Sequence, residues 1–495
     1  MYIRTWPAPR LTAGVGRPGF VEEHGLWSPE QRAAAEQLEA SLGGIDLVRL
    51  VYCDPHGLPR SKTLSVAAFR AALRNGMDFS PGPFLFDTGH AVAVDFQQES
   101  EVGVPELLGA GDFVLVPDPL TFQVLGGSQA RTGWILGDEY LRDGRPHPLS
   151  TRHVLRRVSG AYAEAGMSPV VGIEVEWYLT RRLPGAPGQA GNGFGGQAQA
   201  PGVEATNAGY QFNLDGRYDS VADLADPLAL RLLDLGLPLR SIEHESGPGQ
   251  LETTLNPLGA LDAADALLLL RSVIKQTCAR RGYHASFMSL PAIDGFDPSG
   301  WHIHQSVLDR AGRNIFADGN DPDMLSRRGL AYVNGLLAHA RGLCLLSVPT
   351  INGYHRLGKD FPLSPTRIGW SYEDRTALVR AVGGGSGTHV ENRLGEPCAN
   401  PYLAIGAQLY AGLTGLTGLA APTPGGEETV PASLAEALGA VDEVAAADLL
   451  GSPLARCLTL LKRSELARFD AWAAEQPSVP SGVTEWEHRE YFEVF

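Results

Sequence analysis

Apolar residues recurring at a spacing of two mark strands in this chain, and recurrence near 3.6 marks helices. Residues 45–52 (Ile-Asp-Leu-Val-Arg-Leu-Val-Tyr) predict a strand that turns at Asp54-Pro55-His56-Gly57 and returns over 58–64 as a hairpin. Ahead of it, Ser28, Pro29 and Gln31 supply an N-cap, a first-turn proline and a capping-box glutamine for a helix to about residue 41. Residues 112–119 predict another short strand, stopped by proline. From residue 150 the elements lengthen: a helix over 151–165, a strand over 169–180, then helices over 224–235, 260–281, 326–346, 401–419 and 433–449 with short strands between. Residues 183–202, rich in Gly, Pro and Gln, have little to bury and read as a mobile, solvated surface loop.

A chain of 495 residues, 44% hydrophobic and 19% charged, has the makings of a large globular core. Its formal charge of -16 repels phosphate backbones and anionic lipid, so neither nucleic acid nor a membrane is an expected partner. The 5 cysteines are scattered without a C-x-x-C pair, which fits a reducing cytoplasm better than a disulfide framework or zinc knuckle. The most apolar helical run, 261–274, is interrupted by Asp262, Asp265 and Arg271, so no span is expected there.

The chemistry sits on the polar faces of the strands. Glu174 and Glu176 share one face of their strand, with Ile173, Val175 and Trp177 on the other. Glu243 and Glu245 repeat the arrangement, and the Gly247-Pro248-Gly249 turn folds Glu252 back toward them. His302 and His304 share a face in Ser299-Gly-Trp-His-Ile-His-Gln-Ser306, as do His389, Glu391 and Arg393 further on. So many inward carboxylates need cations, and carboxylates with imidazole suit Mg²⁺ or Mn²⁺ better than structural zinc. With Arg356, Arg375 and Arg380 nearby in sequence order, the set points to phosphoryl transfer, although the chain has no GxxxxGK[ST] loop.

These segments, in this order, resemble the glutamine synthetase superfamily from about Ile45 to Trp486-Glu487 and Tyr491. The resemblance implies an α+β fold: an extension with a helix over 1–44, a β-grasp-like domain over 45–125 and a catalytic ATP- and metal-binding domain over 126–495, with a curved antiparallel sheet flanked by helices. It implies ATP as substrate and two to three Mg²⁺ or Mn²⁺ ions per site. Glu176, Glu245 and Glu252 match the ligands of the metal nearer the amino acid, and Glu174, His302 and Glu391 those of the metal on the ATP phosphates. Arg356 matches the clamp on the glutamate α-carboxylate, Arg375 and Arg380 the phosphate-neutralising pair, and Arg393 the arginine meeting the γ-carboxylate. His304 and Ser306 match the nucleotide side, and Asp297 and Gly300 the substrate loop. A homo-oligomeric ring, commonly a dodecamer, with active sites between subunits is implied as well.

The departures fall at the nucleophile end. Leu363, in Lys359-Asp-Phe-Pro-Leu-Ser-Pro365, stands where the family's flap carries a glutamate, with Asp360 as a substitute if the loop reroutes. An Asp-Gly-Ser-Ser ammonium segment is replaced by 78–87; a separate departure, at the contact to the acid's amino group, is Asp297-Pro298 in place of Asn-Gly. Residues 421–430 lack the tyrosine that some relatives adenylylate. Phe361 and Leu363, with Phe84 and Phe86 if they face the site, would give an organic amine apolar contact where ammonium needs an anionic cage. The pattern resembles the glutamate–amine ligase branch, the γ-glutamyl polyamine, ethanolamide and anilide synthetases. Ordinary ammonia-dependent glutamine synthesis and a non-catalytic ring scaffold or sensor are the alternatives.

Overall fold

The computed structural model describes residues 18–97, 101–126, 129–185, 194–210, 212–321, 323–358, 360–418, 428–479 and 482–495. The expected hairpin is formed by β1 (Leu47–Cys53) and β2 (Pro59–Ser65), with Cys53 opposite Pro59. Asp54 shapes its turn: one carboxylate oxygen accepts the N–H groups of His56 and Leu58, each at 2.9 Å. Gly57 supplies a φ of 87°, which a residue with a Cβ adopts only at a cost. The strand starts at 47 rather than 45 because Leu42–Gly44 closes a 3₁₀ turn after the capped helix Pro29–Ser41.

Four more strands complete the first sheet: β3 (Met77–Phe79), β4 (Phe113–Pro117), β5 (Gln123–Leu125) and β6 (Thr132–Tyr140). Their order is β2-β1-β6-β4-β3, with β5 also on β6, and β1 runs parallel to β6. The helix Val66–Asn75 buries Phe69, Ala72 and Leu73 beside this mixed sheet. Because β6 is its central strand, the sheet reaches past residue 125, where the sequence placed its end. A parallel partner arrives through a long connection and leaves no local signal at the boundary.

The second sheet contains β7 (Met167–Arg182), β8 (Val203–Ala205), β9 (Leu239–His244), β10 (Gln250–Gly259), β11 (Tyr283–Ser286), β12 (Trp301–Asp309), β13 (Trp370–Tyr372), β14 (Val379–Val382) and β15 (His389–Asn392). Its order is β13-β14-β15-β12-β7-β10-β9, with β8 and β11 also on β7, and all pairs except β13–β14 are antiparallel. On β7, Ile173, Val175 and Trp177 are buried in the main core, where full burial is worth roughly 1.5–3 kcal/mol per large apolar side chain. The helices Thr151–Glu164, Ala260–Arg280 and Pro401–Gly418 pack in that layer, so the opposite, polar face of the sheet is left for chemistry. Buried Arg152 joins the layers, bonding Asp138 of β6 (2.7 Å), Asp118 (2.9 Å) and Asp265 of the helix Ala260–Arg280 (2.6 Å).

Several helices differ from the pattern. The helix expected over 326–346 stops at His339 and resumes at Cys344–Ser347, with Gly342 packed against Asp442 where a Cβ would meet that residue's Cβ at 2.9 Å. The helix expected over 433–449 is two, Leu434–Gly439 and Glu443–Leu450, because Asp442 caps a new start by accepting from Val444 and Ala445. The long helix Ser452–Ala474 was not expected: its inward positions include Lys462 and Glu465, a buried pair at 2.8 Å that interrupts the apolar period. Of the loop expected over 183–202, residues 186–193 lie outside the described residues. Its far end is tied down, Gln197 donating to Glu490 at 2.6 Å. All five cysteines are free and buried, and no single described helix is long and apolar enough to cross a membrane.

Candidate active site

Period-two alternation brings the polar residues of neighbouring strands onto one face. Glu174 of β7 is opposite His302 of β12, and His304 is opposite Glu391 of β15, which is opposite Arg380 of β14. On the other side Glu176 is opposite Glu252 of β10, and Glu252 is opposite Glu243 of β9. Glu252 thus faces Glu243 across the ladder, and Glu245 sits at the turn. A cavity of about 1160 Å³ covers this face. Of the residues singled out by the sequence, Gly300, Glu391, Phe84 and Phe86 are not part of its wall, and the others line it.

The carboxylates and imidazoles are close enough to share ions. Glu174 lies 2.6 Å from His302 Nδ1 and 3.1 Å from His304 Nε2, while His302 Nδ1 is 3.4 Å from Glu391. Two three-donor groups among the described residues have ligand atoms within 4.8 Å of one another: Glu174–Glu252–His302 and Glu174–His304–Glu391. This hard-oxygen set with imidazole fits Mg²⁺ or Mn²⁺. His304, expected on the nucleotide side, also stands in a donor group. Glu176 and Glu245 stand beside these groups, Glu176 accepting from Gly300 N–H (3.0 Å) and Gln250 Nε2 (3.1 Å).

Without cations the basin is overfull of negative charge. Burial and then the charge of Glu245 push Glu176 up to about 8, and burial aided by Glu174 and Glu243 pushes Glu245 up to about 7. Burial and Glu174 hold Glu252 well above the carboxylate range. Burial also works against Glu174 and Glu391, yet both are lowered: His302 and His304 bond to Glu174, and His302 and Arg393 face Glu391.

The arginines converge from the other side. Glu391, fully buried, accepts from Arg393 at 2.6 Å and Arg380 at 2.9 Å. Arg356 is buried too, its guanidinium held by the carbonyls of Arg393 (2.9 Å) and Leu394 (3.1 Å). Arg375 lines the cavity beyond them. Asp297 accepts from the hydroxyl of Ser246 at 3.1 Å, and its loop is pinned by Tyr178, which bonds both its N–H and its carbonyl. Gly300 lies beneath Arg356, where a Cβ would come within 2.6 Å of Nη2. Because that guanidinium is already anchored, Gly300→Ala should crowd it and cost about 1–3 kcal/mol of stability. Denaturant unfolding checks this; unaltered stability would mean that the guanidinium yields freely.

A model of the glutamine synthetase catalytic domain matches residues 148–479. The chain belongs to the glutamine synthetase family. It is 38% identical to the gamma-glutamylanilide synthase of an Acinetobacter species, over 96% of this chain and 99% of that one. It is 30% identical to the glutamine synthetase of Methanosarcina mazei, over 75% and 76% of the two chains. Among solved structures, ligand-free GmaS aligns with a TM-score of 0.71 at 27% identity, covering 91% of this chain and 98% of that one. As a member of this family the protein is an ATP-dependent ligase.

In this ligase the flap segment brings Asp360, Phe361 and Leu363 to the cavity wall, and Leu363 is 58% exposed there. Lys359 lies outside the described residues. Phe84 and Phe86 do not join them. Phe84 is fully buried in the first sheet's core against Tyr52, Phe113 and His147, and Phe86 packs on Phe194. The sequence also passed over Gln250, which buttresses Glu176, and Phe212, an exposed aromatic in the cavity wall. Gln250 was legible as the residue two before Glu252 on the same strand face. Phe212 reaches the wall next to Asn213, whose φ of 52° no apolar pattern announces.

The raised carboxylates predict a pH effect. Between the ordinary range and about 7 to 8, the folded ion-free chain holds protons that the unfolded chain has lost, so its stability falls as pH rises through that window. A divalent ion replaces those protons. The rise in Tm on adding Mn²⁺ should therefore be larger at about pH 8 than at about pH 6, as thermal scans would show, and an equal rise at both would count against these carboxylates as ligands.

Proposed function

We propose that this ligase joins the γ-carboxylate of glutamate, or of a similar acid, to an organic amine, yielding a γ-glutamylamide, ADP and phosphate. The observation that carries the reading is Leu363 in the cavity wall, beside Phe361, where the family's flap glutamate is expected. An ammonium ion needs an anionic cage and a base to become a nucleophile. An arylamine is already neutral near pH 7 and gains from apolar contact instead. The likeness to a gamma-glutamylanilide synthase over nearly the whole chain supports the same choice.

In the first step a γ-carboxylate oxygen attacks the terminal phosphorus of ATP and the bond to ADP breaks. Glu174, Glu176, Glu245, Glu252, His302 and Glu391 would hold Mg²⁺ or Mn²⁺, which when bound would supply Lewis acidity and offset phosphate charge. Arg375 and Arg380 stabilise the transferring oxygens, and Arg356 and Arg393 orient the acid. In the second step the amine nitrogen attacks the acyl carbon, phosphate leaves with the former carboxylate oxygen, and the nitrogen gives up a proton. Asp360 is the carboxylate on the flap that would accept it. We propose a cytoplasmic enzyme, in keeping with its free cysteines, that works as a homo-oligomeric ring with sites between subunits.

Acid labelled with oxygen-18 in its carboxylate tests the scheme. Label should appear in the released phosphate only when acid and amine are both present. Phosphate without label would remove the acyl phosphate, and no acid-dependent phosphate at all would favour a binding scaffold.

A further inference from the structure

The helix Glu485–Tyr491 lies outside the cavity, yet it holds both segments that carry the acid-recognition residues into it. Buried Glu487 uses both carboxylate oxygens. One accepts from His355 Nε2 at 2.8 Å and from Asn352 Nδ2 at 3.4 Å. The other accepts the N–H and hydroxyl of Thr484, at 2.8 and 2.7 Å, closing a capping box that fixes the carboxylate in place.

Both partners lead into the site. His355 belongs to the four-residue helix Gly353–Arg356, which is too short to hold itself and needs an external brace. Fully buried Asn352, just before it, pairs in both directions with Leu290: its amide donates to the carbonyl at 3.0 Å and its oxygen accepts the N–H at 2.8 Å. Leu290 opens the loop that carries Asp297 and Gly300. A second tie comes from His488, whose Nδ1 accepts the N–H of Ala292 at 3.2 Å.

We infer that Glu487 is a positioning residue for the acid subsite, aiming Arg356 through His355 and holding the 290–300 loop through Asn352. The inference rests on the proposed ligase reaction. A glutamine at 487 keeps the size but has one acceptor oxygen, and its NH₂ is set against donors on one side or the other.

The test is steady-state kinetics of the full chain with each of the three substrates varied, alongside thermal scans. Glu487→Gln should raise the KM of the acid about tenfold, with the KM values of ATP and amine within about twofold of wild type. His355→Ala, on a partly exposed ring, should do the same without touching the capping box, and His355→Gln, which restores a donor, should recover most of the loss. Since the two residues act in series, Glu487→Gln with His355→Ala should be no worse than the worse single change. An unchanged acid KM, or a parallel rise in all three KM values, would overturn the inference. If Glu487→Gln fails to fold, the acid KM of His355→Ala decides in the same way. Wild-type protein without acid-dependent turnover would instead overturn the proposed reaction, and the positioning role with it.

Discussion

Glu391→Gln is expected to lower ATP-dependent phosphate release by roughly 10²–10³-fold while leaving the fold intact. The carboxylate is fully buried, receives Arg380 and Arg393 at 2.9 and 2.6 Å, and belongs to a donor group with Glu174 and His304. Glutamine keeps the volume and an acceptor oxygen but removes the negative charge that offsets two guanidiniums and draws a divalent ion. Alanine is the poorer probe. It leaves buried Arg393 without its carboxylate and Arg380 with only the exposed Glu373 at 3.5 Å, at a cost of about 3–5 kcal/mol, so lost activity would be mixed with lost stability. Phosphate release, Tm and an Mn²⁺ titration on the glutamine variant separate the two, and undiminished turnover would take Glu391 out of the ion site.

Leu363→Glu should turn the enzyme toward ammonia. The side chain is 58% exposed in the cavity wall, so a carboxylate there is solvated well enough to be tolerated and close enough to the nucleophile end to attract a cation. We expect kcat/KM for ammonium to rise and that for an arylamine to fall, each by roughly 10- to 100-fold, a change of about 10³ in their ratio. The measurement is competition between the two nucleophiles at saturating ATP and acid. An unchanged ratio would mean that Leu363 faces solvent and not the nucleophile.

The ligand strands were legible because a half-polar strand exposes its chemistry at every second position. Glu174, Glu176, Glu252, His302, His304 and Glu391 share a face for that reason alone. What joined those strands was not local. β6 pairs with β1 across some eighty residues, and nothing in 126–140 by itself assigns that strand to the first sheet. The helix Ser452–Ala474 was hidden by the same kind of residue that reveals a site, since Lys462 and Glu465 face inward as a pair. Phe84 shows the converse limit: an apolar residue near a functional segment packs wherever a core is closest, and here that core is the first sheet's. Gly300 and Gln250 could be pointed to from the sequence, but what they do there, on Arg356 and Glu176, needed the structure.

Use of an organic amine in place of ammonia is what we propose for this family member. It is tested most directly by ATP-dependent phosphate release with glutamate and Mg²⁺ against ammonium, ethanolamine, short alkylamines, polyamines and aniline, with the amide product identified by mass. Acid-dependent release with at least one organic amine is expected well above that with ammonium, with an arylamine ahead of the charged alkylamines. Ammonium outperforming every organic amine would contradict it.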